Sequence, residues 1–219
     1  SMKKIGSGVQ YNVYDIGNGR IKKIQTSLLQ KIYRFHVIAP KYKIYSHPIH
    51  NIKTSIESGK IARLSINDLK KHIMEIDGWL VGNPTIGGDG SYEQDKTSPL
   101  GDILNSSEFA KQKELIDLFI DHILACWDYG FGDVVFNFNL NSGVTPEGKV
   151  ILTDLGELTW DKKEIRKLVE TKYWEKRSSF VRLKNIELKN YIREQFNEKI
   201  TLSNLDKHWN SRSSSNIVY

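Results

Sequence analysis

The chain has 219 residues, 39% of them hydrophobic and 11% aromatic, which is enough for one domain with a sizeable core. Its 32 basic and 26 acidic residues leave a formal net charge of +6. The basic residues are scattered, so they favour anionic partners such as nucleotides without marking a nucleic-acid binder. No run approaches the roughly 18 to 20 uninterrupted apolar residues of a membrane span; even Leu115 to Leu124 is broken by Asp117, Asp121 and His122.

The N-terminus enters a Gly-rich turn at once, so no signal peptide is expected. In the first 24 residues Val9, Tyr11, Val13 and Tyr14 are strand formers, Gly17-Asn18-Gly19 is a turn, and Arg20 to Ile24 resumes a strand. A weak helical pattern covers Leu28 to Val37. Ser65-x-x-Asp68 ahead of Leu69, His72, Ile73 and Ile76 predicts a capped amphipathic helix. Trp79 to Val81 reads as a short apolar strand, Gly87 to Gly90 as a tight turn, and Ser91 to Gln94 as a further strand. Beyond residue 99 the pattern turns helical. Phe109, Leu115, Ile116, Phe119, Ile120, Ile123, Leu124 and Trp127 recur at helical spacing, the stripe of a central core helix. An Asn- and Phe-rich loop follows, then a strand over Lys149 to Thr153, then helix to about Glu198 and a polar, fraying end over Ser211 to Asn216. Strands before helices imply an α+β architecture. The one cysteine, Cys126, stands in an apolar stretch and reads as a buried thiol. A cytoplasmic location with no membrane partner is the expectation.

Three constellations carry chemistry. Gly6 and Gly8 let a hairpin backbone approach phosphates, although alone the pair is equally an ordinary turn. Lys23 lies on the next strand, on the face of Ile21, and can neutralise phosphate charge in a cleft; Lys22 on the other face competes for that role. Asp154-Leu155-Gly156 leaves the apolar strand Val150 to Leu152, a placement suited to holding a metal ion, with Glu157 after it. Upstream, Asp133, Asn137, Asn139 and Asn141 are interleaved with Phe136 and Phe138, as in a loop anchored by aromatics while it presents oxygens.

In order and spacing these residues resemble the protein-kinase-like superfamily. Gly6, Ser7, Gly8 and Val13 look like its Gly-rich loop, Lys23 like its phosphate-contacting lysine, and Asp154-Leu155-Gly156 like its metal-binding motif. Asn141 stands 13 residues before Asp154, the separation that typical kinases show between metal-binding Asn and Asp. Gly132 to Leu158 also resembles a group of small atypical bacterial or phage kinase-like proteins.

The resemblance implies a two-lobed fold, with a β-rich N-lobe over residues 1–95 and a mostly helical C-lobe over 96–219. It further implies ATP with Mg2+ or Mn2+ as cofactors, Asp133 as proton acceptor, and Asp154 with Asn141 (or Asn139 or Asn137) as metal ligands. Residues 92–98 would be the hinge that meets adenine, with Gln94 and Asp95 at the nucleotide, and Glu57 or Glu75 would pair with Lys23. The departures are Tyr11 in place of a third glycine, Phe131-Gly132-Asp133 in place of His-Arg-Asp, and eight residues where five usually separate the loop Asp and Asn. No long activation segment follows Asp154, so the peptide platform of regulated kinases is missing. An ATP-dependent phosphotransferase with an unknown protein or small-molecule acceptor is the leading expectation. A pseudokinase scaffold is the alternative, AMP transfer a third reading, and nucleic-acid binding the last.

Overall fold

The computed structural model describes residues 2–8, 10–33 and 48–212, and of 48–51 the backbone alone. Val9, residues 34–37 of the expected first helix and residues 213–216 of the expected frayed end lie outside the described residues.

Strand-forming residues broken by Gly17-Asn18-Gly19 produce β1 (Lys3–Ser7), β2 (Tyr11–Gly17) and β3 (Arg20–Gln25), and all three turn residues take positive φ. With β4 (Thr85–Ile86) and β5 (Tyr92–Asp95) they form a five-stranded antiparallel sheet in the order β1-β2-β3-β5-β4. Among the described residues two α-helices interrupt the strands, α1 (Leu28–Tyr33) and the long α2 (Pro48–His72).

The rest of the chain is mostly helical. A two-residue strand, β6 (Ser98–Pro99), leads into α3 (Leu100–Ser106) and the core helix α4 (Phe109–Asp128). Then come β7 (Gly132–Asp133), the single turn α5 (Phe138–Asn141), and a hairpin of β8 (Ser142–Val144) and β9 (Val150–Leu152). After β10 (Leu158–Thr159) the chain closes with α6 (Lys162–Glu170), α7 (Ser178–Val181), α8 (Ile186–Lys199) and α9 (Leu202–His208). The protein is therefore mixed α+β, with an N-terminal sheet region and a helical C-terminal part. No helix among the described residues is long and apolar enough to cross a membrane.

Three local expectations are corrected. Ser65 does not cap a helix; it lies inside α2, and its hydroxyl is spent on residues 155 and 158 instead. Residues 78–81 form a 3-10 turn and not a strand. Gly82 ends it in the left-handed conformation (φ 71°), which lets the chain reverse while Leu80 and Val81 are buried. Ser211 and Arg212 are not frayed, because their backbone amides donate to His208 and Asp128 carbonyls.

The hydrophobic interior has two clusters. One fills the helical part around Ile116, Ile120, Trp127, Ile192 and Phe196. Trp174 and Phe180 also belong to it, with Tyr173, Tyr191 and Trp209 packed against it, so the C-terminal aromatics are core. The other joins the sheet and α2 to the helical part through Tyr11, Ile66, Leu80, Tyr92, Phe131 and Leu155. Cys126 belongs to this second cluster, and burial pushes its thiol well above the ordinary range.

Candidate functional site

Strand alternation turns Ile21 and Lys23 inward from β3, while Lys22 faces out to pair with Glu93. Lys23 sits in register between Val13 of β2 and Tyr92 of β5. Its Nζ donates to the Thr153 carbonyl and lies 5.5 Å from the centre of the Tyr92 ring. Burial pulls the Lys23 pKa below that of an ordinary lysine, and the Asp154 charge opposes that shift. No ion pair reaches Lys23 among the described residues. Neither expected partner meets it: Glu57 is exposed, and Glu75 accepts a hydrogen bond from His72 at 2.8 Å.

Asp154 leaves β9 and caps a 3-10 turn over Leu155–Glu157, accepting the Gly156 amide at 3.1 Å. This turn is pressed beneath α2. A Cβ on Gly156 would stand 2.9 Å from the Ala62 Cβ and from Gln10 Oε1, so only glycine fits. The Ser65 hydroxyl donates to the Leu155 carbonyl at 2.8 Å and accepts the Leu158 amide at 2.9 Å. From β5, the Tyr92 hydroxyl accepts the Leu155 amide at 3.3 Å.

The Asn- and Phe-rich loop arrives from the other side, held by buried Phe136 and Phe138. Of its three asparagines, Asn141 is the one brought to Asp154. Its carbonyl accepts the Thr153 amide at 2.7 Å, and its Nδ2 donates to Glu157 Oε2 at 2.8 Å. Asn139 faces α3 instead, within 3 Å of where a Cβ on Gly101 would be. Asn137 caps α5, and its carbonyl accepts the Asn141 amide at 2.8 Å.

Asp133, on β7, pairs in register with Leu158, and its Oδ1 accepts the Val135 amide at 2.9 Å. Burial, then the charges of Glu157 and Asp154, push its pKa up to about 7, against the hydrogen bonds from Val135 and Asn141. Glu157 was not among the expected site residues, yet it joins the group. Burial and the Asp154 charge raise its pKa, while the Asn141 amide and the Arg177 charge oppose. A sequence signal for it existed: side chains three apart on a 3-10 turn eclipse one another, which aligns Glu157 with Asp154.

The Gly-rich loop lies above. Ser7 Oγ donates to Asn12 Oδ1 at 2.8 Å, and the Gly8 amide donates to the Tyr11 carbonyl at 2.7 Å. A Cβ on Gly6 would meet only the Val13 side chain, at ordinary contact distance. Tyr11, at the place of a third glycine, turns inward and packs edge-on against Tyr92 with ring centres 5.3 Å apart. Gln10 ties the loop tip to α2, donating to Ser58 Oγ at 2.7 Å.

The two expected nucleotide-side residues are occupied otherwise. Gln94 is wholly buried and its Nε2 donates to the Leu152 carbonyl at 3.2 Å. The Asp95 carboxylate holds Arg20 and Asn83, each at 2.7 Å. Residues 92–95 are strand, so the link from β5 to β6 is Lys96 and Thr97 alone.

Among the described residues no three His, Cys, Asp or Glu side chains form a group able to hold a metal by themselves. What Asp154 and Asn141 offer is one carboxylate and one amide oxygen, hard donors of the kind that share Mg2+ with substrate phosphates and water. No protein-family model matches the chain, and no curated protein matches it either.

Proposed function

We propose that the chain is an atypical phosphotransferase with a two-lobed, kinase-like fold, using ATP with Mg2+ or Mn2+. One observation carries the reading: Lys23, Asp133, Asn141 and Asp154, far apart in sequence, converge where the sheet region meets the helical part. In this reading the sheet and α2 form the N-lobe, through Asp95, and the helices form the C-lobe.

ATP would supply the transferable phosphoryl group, and the metal would offset the charge on its phosphates. Lys23 is then the fixed cation for those phosphates, and it is already buried and desolvated beside the Asp154 turn. Asp154 and the Asn141 amide oxygen are the metal ligands. The Gly6–Gly8 turn, with Ser7, covers the phosphates, Val13 stands above the base, and the backbone beyond Gln94 and Asp95 faces its edge. Asp133 accepts the proton of the acceptor hydroxyl, for which a pKa of about 7 is well matched at neutral pH. The acceptor is an unidentified protein or small molecule, and nucleic acid is not the partner favoured by this arrangement.

Two features favour a second reading, a pseudokinase that binds nucleotide or a partner without transfer. Lys23 has no carboxylate partner from α2 among the described residues, and the loop tip is tied to Ser58 by Gln10. AMP transfer is separated from both by following label from the α or the γ position of ATP.

The deciding experiment is thermal unfolding with ATP, with and without Mg2+ or Mn2+, on wild type and Asp154→Ala. Nucleotide at a hundred times its dissociation constant adds about 2.7 kcal/mol, or about 5 to 10 °C for a domain of this size. A metal-dependent rise in wild type that the variant lacks is the expected outcome. No rise under any condition rejects the nucleotide site.

A further inference from the structure

A cavity opens beside α2, along a face that does not meet the Asp154 turn. It has a volume of about 570 Å3 and lies between α1, the end of β3 and the middle of α2. From α2 it takes Ile56, Lys60, Arg63 and Asn67, spaced along one helix face. Ser58, Ala62 and Ser65, which meet the Gln10 and Asp154 turns, lie on another face of the same helix. The two sites therefore use different faces of α2.

Three cations line this cavity, Lys31, Lys60 and Arg63, and no carboxylate does among the described residues. Lys31 is the unusual one. It is only 6% exposed, and its Nζ has the Ser55 carbonyl as hydrogen-bond partner at 2.8 Å but no ion pair among the described residues. A buried ammonium without a counter-charge is costly. Burial lowers its pKa, and the charge of Arg63 adds to that shift. Arg63 in turn is held by Gln25 Oε1 at 2.9 Å, an uncharged partner.

The backbone is shaped around Lys31 as well. A Cβ on Gly59 would stand 2.8 Å from Lys31 Nζ, so any side chain there would displace the ammonium. Glycine inside a helix costs about 1 kcal/mol relative to alanine. Here that cost leaves room for a cation that nothing on the described chain neutralises.

We propose that this cavity binds a small phosphorylated molecule, whose phosphate is held by Lys31 and Arg63 with Lys60 at the rim. The volume falls within the range of small-ligand pockets, and the site stands whether or not the chain transfers phosphoryl groups. Calorimetric titration of the full chain with inorganic pyrophosphate, in metal-free buffer at low salt, tests it. Wild type binds, and affinity falls as salt rises. Arg63→Gln and Lys31→Met each weaken binding about tenfold or more, the loss of one charge-assisted hydrogen bond, while Lys111→Met, which removes an exposed cation of α4 that lines neither site, leaves it within about twofold. Circular dichroism checks that each variant is folded, and Arg63→Gln, at an exposed position, decides the matter if Lys31→Met is not. Absence of binding by wild type, unchanged affinity in Arg63→Gln, or an equal loss of binding in Lys111→Met overturns the proposal.

Discussion

Asp133 keeps its proton up to about pH 7 because it is buried and faces two further carboxylates, Glu157 and Asp154. As a proton acceptor it must be ionised, so turnover in the proposed reaction rises with pH through about 7, and Asp133→Asn abolishes that rise together with most of the rate. Glu157→Gln removes one of the charges that raise the Asp133 pKa and moves the rising limb to lower pH. A pH–rate profile of the two variants checks both expectations. Lys23→Met removes the buried cation beside Asp154, and its expected signature is loss of the ATP-dependent rise in melting temperature with the fold retained. These residues were legible to different degrees. Lys23 was readable from alternation on β3, and Asp154 from its position after an apolar strand. Which asparagine meets Asp154 was not, because three of them lie within five residues and only the turn over Phe138–Asn141 directs one carbonyl to the Thr153 amide.

Between elements, the contact of α2 with the turn over residues 155–157 rests on Ser65. Its one hydroxyl satisfies both a carbonyl and an amide that are otherwise buried. Ser65→Ala leaves both unmet, and chemical denaturation is expected to show a loss of about 1 to 3 kcal/mol. The same residue shows why local motifs misled. Ser65-x-x-Asp68 has the form of a capping box, but the preceding residues continue the helix back to Pro48, and the serine is used in tertiary contact. Trp79 to Val81 misled for a similar reason. A short apolar run is buried equally well as strand or as turn, and Gly82 in the left-handed region selected the turn. The glutamate expected to reach Lys23 from α2 failed on geometry that periodicity alone does not reveal, since Ala62 and Ser65 occupy the face toward Gly156 and Leu155.

At the scale of the molecule, a sheet region ahead of a helical part was readable from the sequence, because the alternation and turn of the first 25 residues contrast with the helical stripe of α4, whereas the full length of α2 and the short strands β7, β8 and β10 were not. The seam between the two parts was not, since it is built from pairs distant in the chain. His122 of α4 is one such group: buried, it reaches the Leu80 carbonyl at 2.9 Å, and burial lowers its pKa to about 4. Its neutral form is favoured in the fold, so the stability it protects is fully present above about pH 6.5 and is lost as pH falls toward 4. The size of this effect is about 3 kcal/mol. Asp133 acts with the opposite sign: its raised pKa makes stability fall as pH climbs from about 4 to 7. In metal-free buffer the two slopes oppose each other. His122→Asn is expected to gain stability on acidification over this window relative to wild type, and Asp133→Asn to lose it, as denaturation at pH 4.5 and 7 reads directly.

The Asp154 charge near Lys23, which makes no ion pair among the described residues, has a consequence for the order in which ligands arrive. Asp154 is the one charge that offsets the buried ammonium. A divalent ion arriving alone at that carboxylate would add positive charge beside the buried ammonium, and a nucleotide arriving alone would bring its phosphates toward Asp154, Glu157 and Asp133 with Lys23 as the nearby cation. Each ligand removes the other's penalty, so in the proposed reading nucleotide and metal bind with positive cooperativity, and by linkage the enhancement is the same whichever is titrated first.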